Sequence, residues 1–335
     1  MDALMLAGGM VLLLAGGRLL IAGAVSTATR LGVSTLLIGL TLVAWGTSAP
    51  ELALNVVSAS KGRGDLALGN VVGANICNMG LVLGLCALIR PLLVEVRIIK
   101  VELVLNAALL CLVAGVGLSV GLPWWAAATL LGVFAVYSAW TIRTAVRQSA
   151  ATRQERRDAA EAQAEAGAVG GEKVEGEPLG WLAIVVCFAV GLPLLGYGGS
   201  LASDGAVGIA AGLGVPPAII GVTIVSIGTT LPELITGLMA VRMGQSDLAM
   251  GNAIGSCLFN VCAIFGIAGL IAPPEVGGMS GPFALPMITM AILAVVLIPM
   301  SRTTGRTVSR IEGGVLLAAY ALFLAASAML AVHKD

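Results

Sequence analysis

Two glutamates each follow a proline in the middle of a run apolar enough to cross a bilayer: Glu51 in GTSAPELALNVVSAS and Glu233 in GTTLPELITGLMAV. A carboxylate at that depth costs about 3 kcal/mol or more, so it marks a place where something other than lipid meets the chain. Pro50 and Pro232 lack an N–H, and their rings clash with the carbonyls of Gly46 and Gly228, so each helix should break or kink beside its glutamate. Freed carbonyls are tolerated in the membrane where they face protein, water or an ion. Two ionised carboxylates together with such carbonyls make a site for a hard cation, and one Ca2+ would neutralise the pair. Mg2+ demands a stricter octahedron and keeps its waters, and soft metals find no Cys or His in the motif.

The runs that follow carry further polar residues. Asn70, Ala74 and Asn78 are spaced four apart, as are Asn252, Ser256 and Asn260, so each trio shares one helix face. Asn78 and Asn260 fall near mid-depth and are read as ion or water contacts, while Gly69, Gly73, Gly251 and Gly255 are read as a small-residue packing face. Asp65 and Asp247 open these helices and are read as N-caps. Three other charges at membrane depth are not counted as ligands: Glu102 is expected near an interface, Arg18 snorkels, and Asp204 falls near the end of its helix. The single histidine, His333, lies three residues from the end of the sequence, which leaves no Ser/His pair and no His-based metal centre. All six cysteines fall in apolar runs and read as small hydrophobes.

The elements that hold these residues follow from composition. With 58% hydrophobic and 11% charged residues over 335 positions, the chain has more apolar surface than a soluble core can bury. Ten runs are long enough to span, near residues 3–27, 33–59, 66–89, 99–119, 123–143, 179–204, 215–241, 248–271, 283–300 and 310–332. No basic residue precedes the first run, so it reads as a retained helix rather than a cleaved leader. If the N-terminus is outside, fourteen Lys and Arg fall on inner loops, and only Lys61, Arg63 and Lys334 fall outside. That bias predicts both termini outside.

Residues 39–84 align without a gap on residues 221–266, at a constant offset of 182, and GGRLLIAGA aligns on GGSLASDGA at the same offset. The expected fold is an all-α integral membrane protein of ten transmembrane helices, arranged as two inverted five-helix repeats, because an odd helix count per repeat forces the second copy to enter from the opposite side. The repeats take residues 1–143 and 179–335. Between them residues 144–178, rich in Ala, Glu and Arg, read as a cytoplasmic linker, partly helical or disordered.

GTSAPE with GNVVGANICN, and GTTLPE with GNAIGSCLFN, resemble the paired alpha-repeats of the cation/calcium exchanger family, in particular its prokaryotic sodium/calcium antiporters. The resemblance covers all ten helices. It implies Ca2+/Na+ exchange by alternating access in a prokaryotic cell membrane, with the first and sixth helices moving past the other eight. It implies transported Ca2+ and Na+ as the bound species, no resident cofactor, the lipid bilayer as surroundings and no nucleic acid. By motif position it gives Glu51, Glu233 and the carbonyls of Thr47 and Thr229 to Ca2+. It gives Ser48, Thr230, Ser256, Asn78, Asn260 and the carbonyls of Ala44 and Ser226 to Na+. Ala74 stands where the pattern has a serine, and Asn260 where it often has an aspartate, so Ca2+/H+ antiport is the second reading. A cation channel or a membrane enzyme rank behind, because inverted repeats around broken helices speak against both.

Overall fold

Proline breaks the second span at the place the sequence marks. In the computed structural model, which describes residues 1–165, 178–215, 226–303 and 305–332, α2 (Thr35–Thr47) and α3 (Ala49–Ser60) are bent by 46° at a one-residue break. Ser48 between them leaves the helical region, with φ −89° and ψ 6°. Pro50 sits in the first turn of α3, where a missing N–H costs no helical hydrogen bond.

Eight helices among the described residues are long and apolar enough to span, and the α2/α3 pair makes nine. In chain order the others are α1 (Asp2–Leu31), α4 (Gly64–Ile89), α5 (Ile98–Val120), α6 (Trp124–Glu165), α7 (Trp181–Gly212), α10 (Ser246–Ile271), α11 (Ala284–Thr303) and α12 (Arg310–Val332). The span expected at 215–241 is described only in part, as α8 (Ser226–Thr229) and α9 (Leu231–Arg242). Residues 216–225 of that expectation lie outside the described residues. Apart from a two-residue antiparallel ladder, β1 (Leu92–Leu93) with β2 (Thr307–Val308), these elements are all helical.

Inversion is visible in the packing of α1 on α7. A Cβ added to Gly9 would meet the backbone of Ala202 at 2.4 Å, and one on Gly205 would meet Leu6 N at 2.5 Å. Gly16 lies against Gly191 and Leu195, and Gly23 against Cys187, so the two helices run antiparallel. Gly9 faces Gly198 and Gly16 faces Gly191, while Gly23 and Gly205 continue the two rows against Cys187 and Leu6. A seven-residue spacing is close to two helical turns, and small residues there let the two backbones touch.

The most buried spans are α4 and α10, each introduced by a glycine in the left-handed region, Gly62 at φ 74° and Gly244 at φ 79°, which only a residue without Cβ adopts cheaply. Gly251 and Gly255 do pack α10 directly onto α2, where an added Cβ would lie 2.8 Å from Leu36 O or Leu40 O. Their counterparts differ: an added Cβ on Gly69 meets only Phe283, at 3.5 Å, and Gly69 and Gly73 line a groove against residues 279–286. Trp45, Phe134 and Phe259 tie α2, α6 and α10 together, with ring centroids 5.5 to 6.2 Å apart.

Glu102 is fully buried within the protein and takes a hydrogen bond from Arg97 Nε at 2.9 Å, the Arg97 guanidinium lying 4.6 Å from the Trp140 ring. Burial without a partner would be prohibitive for either charge, and the sequence neighbour five positions back supplies one. Asp65 and Asp247 are not N-caps. The caps are Arg63 and Gln245, neither with a side-chain bond, and each aspartate lies within the first helical turn, where the helix dipole favours a negative charge. In the segment expected as a linker, α6 continues without interruption to Glu165; residues 166–177 lie outside the described residues.

Candidate cation site

Each glutamate occupies the third position of a helix that begins inside the membrane. Glu51 follows Ala49 and Pro50 at the start of α3, and Glu233 follows Leu231 and Pro232 at the start of α9, after Thr230 at φ −93° and ψ 2°. A helix N-terminus carries partial positive charge, so the break that proline enforces also gives the carboxylate a favourable field. The two are 2% and 1% exposed and lie close enough to act on each other electrostatically.

Side chains from opposite repeats meet around them. Ser48 Oγ donates to Glu233 Oε1 at 2.8 Å and lies 3.1 Å from Ser256 Oγ. Thr47 Oγ1 is 3.3 Å from Asn252 Oδ1 and 3.1 Å from the Val43 carbonyl. Ser48, Asn78, Asn252 and Ser256 are fully buried, and Thr47, Thr230 and Asn260 nearly so. The Ala44 carbonyl takes the Ser48 N–H at 3.1 Å, and Ser226 opens α8. Thr229 lines a cavity of about 200 Å3 together with Glu51 and residues of α7.

Several buried atoms here lack a protein partner: Glu51 Oε2, Glu233 Oε2, Asn260 Oδ1 and both amide atoms of Asn78. A carboxylate oxygen in such a place is costly unless paired. Four of these five atoms are oxygens with lone pairs to offer, and a hard cation takes oxygen donors of this kind.

Both asparagines at mid-depth begin a widened helical turn, Asn78–Val82 in α4 and Asn260–Ile264 in α10. Such π-turns are frequent at functional sites, because one extra residue loosens the backbone ladder and re-aims side chains. Nothing in residue type announces them. Sequence reading also passed over Asn55, 1% exposed, whose Nδ2 donates to the Glu51 carbonyl at 2.6 Å. Its position four residues after Glu51 was the available signal, since i and i+4 share a helix face. Asn252 shares the polar face in sequence and is not among the expected ligands; the structure sets it beside Thr47. Ala74, 4% exposed, brings no hydroxyl.

The family described as "Sodium/calcium exchanger protein" matches residues 1–143 and 183–329. Among individual relatives, CaxA of Alkalimonas amylolytica is 35% identical over 320 residues, covering 93% of this chain and 94% of that one. The sodium/calcium exchanger MaX1 of Methanosarcina acetivorans is 32% identical, covering 94% and 95%. The structure superposes on the sodium-calcium exchanger NCX_Mj, soaked with Na+ and Ca2+, with a TM-score of 0.76, 26% identity and 97% of each chain covered.

Proposed function

This chain belongs to the sodium/calcium exchanger family, and from that membership we propose that it exchanges Ca2+ for Na+ across a prokaryotic cell membrane by alternating access. It is an integral membrane antiporter of that family and not an enzyme. The observation that carries the finer reading is the hydrogen bond from Ser48 of the first repeat to Glu233 of the second. It draws the proline-flanked segments of both halves onto one buried site in which Glu51 Oε2 and Glu233 Oε2 have no protein donor.

In this reading Ca2+ is held by Glu51, Glu233 and the carbonyls of Thr47 and Thr229. Na+ takes positions around it at Ser48, Thr230, Ser256, Asn78, Asn260 and the carbonyls of Ala44 and Ser226. The two ligand sets adjoin in one buried site and draw on the same carboxylate charge, so a cation bound from one side must leave on the other before its counter-ion loads, and exchange follows. The charge bias of the loops supports both termini outside and residues 144–178 in the cytoplasm.

A second reading, Ca2+/H+ exchange through the same carboxylates, draws on Ala74, which removes one hydroxyl from the set. One measurement separates the two. In proteoliposomes, 45Ca2+ uptake is expected to require an outward Na+ gradient. Equal uptake driven by a pH gradient with no Na+ present would select proton coupling.

A further inference from the structure

The face of α7 nearest Glu51 is polar. Ser200, Ser203 and Asp204 line the same cavity as Glu51, and at spacings of three and four they share one side of the helix. Ser200 and Asp204 are exposed, while Glu51 is 2% exposed. One cavity of about 200 Å3 therefore leads from the surface to the buried carboxylate. Among the described residues that line it there is no base, and Glu51, one of the lining residues, has an Oε2 without a protein partner.

We propose that this cavity is the path of the divalent cation on the α7 side, and that Asp204 is its capture site, concentrating the cation at the mouth before the Ser200 and Ser203 hydroxyls pass it to Glu51. The inference rests on the reading of the chain as a Ca2+ antiporter and adds a residue to it. Asp204 lies about two turns before the end of α7 at Gly212, where Gly205 packs against Asp2 and Leu6, on the side of the N-terminus, which the charge bias places outside.

The repeat makes the capture one-sided. At the offset of 182, Ser200, Ser203 and Asp204 fall on Arg18, Ile21 and Ala22 of α1. The α1 positions related by the repeat therefore carry a base and two apolar residues where this path has two hydroxyls and an acid. A carboxylate at the mouth of a cleft with low-dielectric walls raises local cation concentration, and Ala22, its counterpart, has no charge with which to do so. Capture at low Ca2+ belongs to the outer face, and release to the inner one.

The test uses the full-length protein in vesicles of known orientation, with 45Ca2+ as the probe. Asp204→Asn should raise the half-saturating external Ca2+ about fivefold, as one screened charge a few ångströms away does, with the maximal rate within about a factor of two. Asp204→Glu should restore it, and raising ionic strength should shrink the difference. In a Cys111→Ser background, which removes the exposed cysteine among the described residues, Asp204→Cys should react with impermeant methanethiosulfonates from outside. The sulfonate reagent should lower half-saturation and the trimethylammonium reagent should raise it. Unchanged half-saturation in Asp204→Asn while the wild type transports would overturn this inference alone. So would labelling from the inside only, or equal effects of the two reagents. A wild type that moves no Ca2+ would overturn the antiporter reading and this inference with it.

Discussion

Glu233 and Glu51 stand at equivalent places in two copies of one backbone, yet one is held and the other is not. Glu233 receives Ser48 Oγ at 2.8 Å, and that serine is backed by Ser256 at 3.1 Å. Each glutamate keeps an unpartnered Oε2, but Glu51 has no counterpart to the Ser48 bond and faces a cavity. Thr230, the counterpart of Ser48, has Cys77 within hydrogen-bonding reach, and the counterpart of Ser256 is Ala74. Duplication kept the break, the proline and the carboxylate, and let the hydroxyls around them diverge. In the proposed reading one carboxylate is oriented before a cation arrives, while the other is left to be oriented by the cation itself. A preorganised ligand binds without further ordering cost; a free one can follow an ion along its path.

The comparison breaks most completely if both carboxylates are required despite their different settings. Glu51→Gln and Glu233→Gln should each lower Ca2+ transport about 100-fold or more while leaving a monodisperse, helical protein, since the amide keeps the shape and removes a charge from the divalent ligand set. Flux assays beside size-exclusion profiles decide it, and wild-type exchange in either variant would move the site elsewhere. Hydroxyl removal should then sharpen the contrast. Ser48→Ala leaves a second Glu233 oxygen without a donor and should raise half-saturating Ca2+ about tenfold, the consequence of stranding one buried acceptor. Thr230→Ala, which takes no donor from Glu51, should change it about twofold. Equal effects would mean that the asymmetry of hydrogen bonds has no functional weight. The smallest expected effect is Ala74→Ser, which makes the first repeat resemble the second. Half-saturating Na+ should fall about twofold to threefold, with the need for both glutamates intact. A change in Ca2+ dependence alone would place that position away from Na+.

Much of this was legible before any coordinates, because proline and buried charge have consequences that context does not cancel. Pro50 and Glu51 fix a break and a reason for it, and the offset of 182 fixes the partner. What stayed hidden depends on neighbours. The partners of Glu102, Arg97 and beyond it Trp140, cannot be told from its own residue type. The fifth span reads as ending near Arg143, but the Ala, Glu, Gln and Arg that follow are good helix formers, and α6 runs on to Glu165. Asp65 satisfies a capping pattern in sequence, but the turn at Gly62 starts the helix ahead of it. Which hydroxyl reaches which carboxylate could not be read at all, since Ser48 and Glu233 are separated by 185 positions and meet only through the inversion.

The widened turns after Asn78 and Asn260 bear on the history of the chain. They fall 182 positions apart, as does every other shared feature, yet their residues are NMGLV and NVCAI, alike in little beyond the first asparagine. A backbone irregularity that outlasts the side chains around it is most economically a single insertion, made once and inherited by both halves. The lengthened turn is then older than the gene duplication.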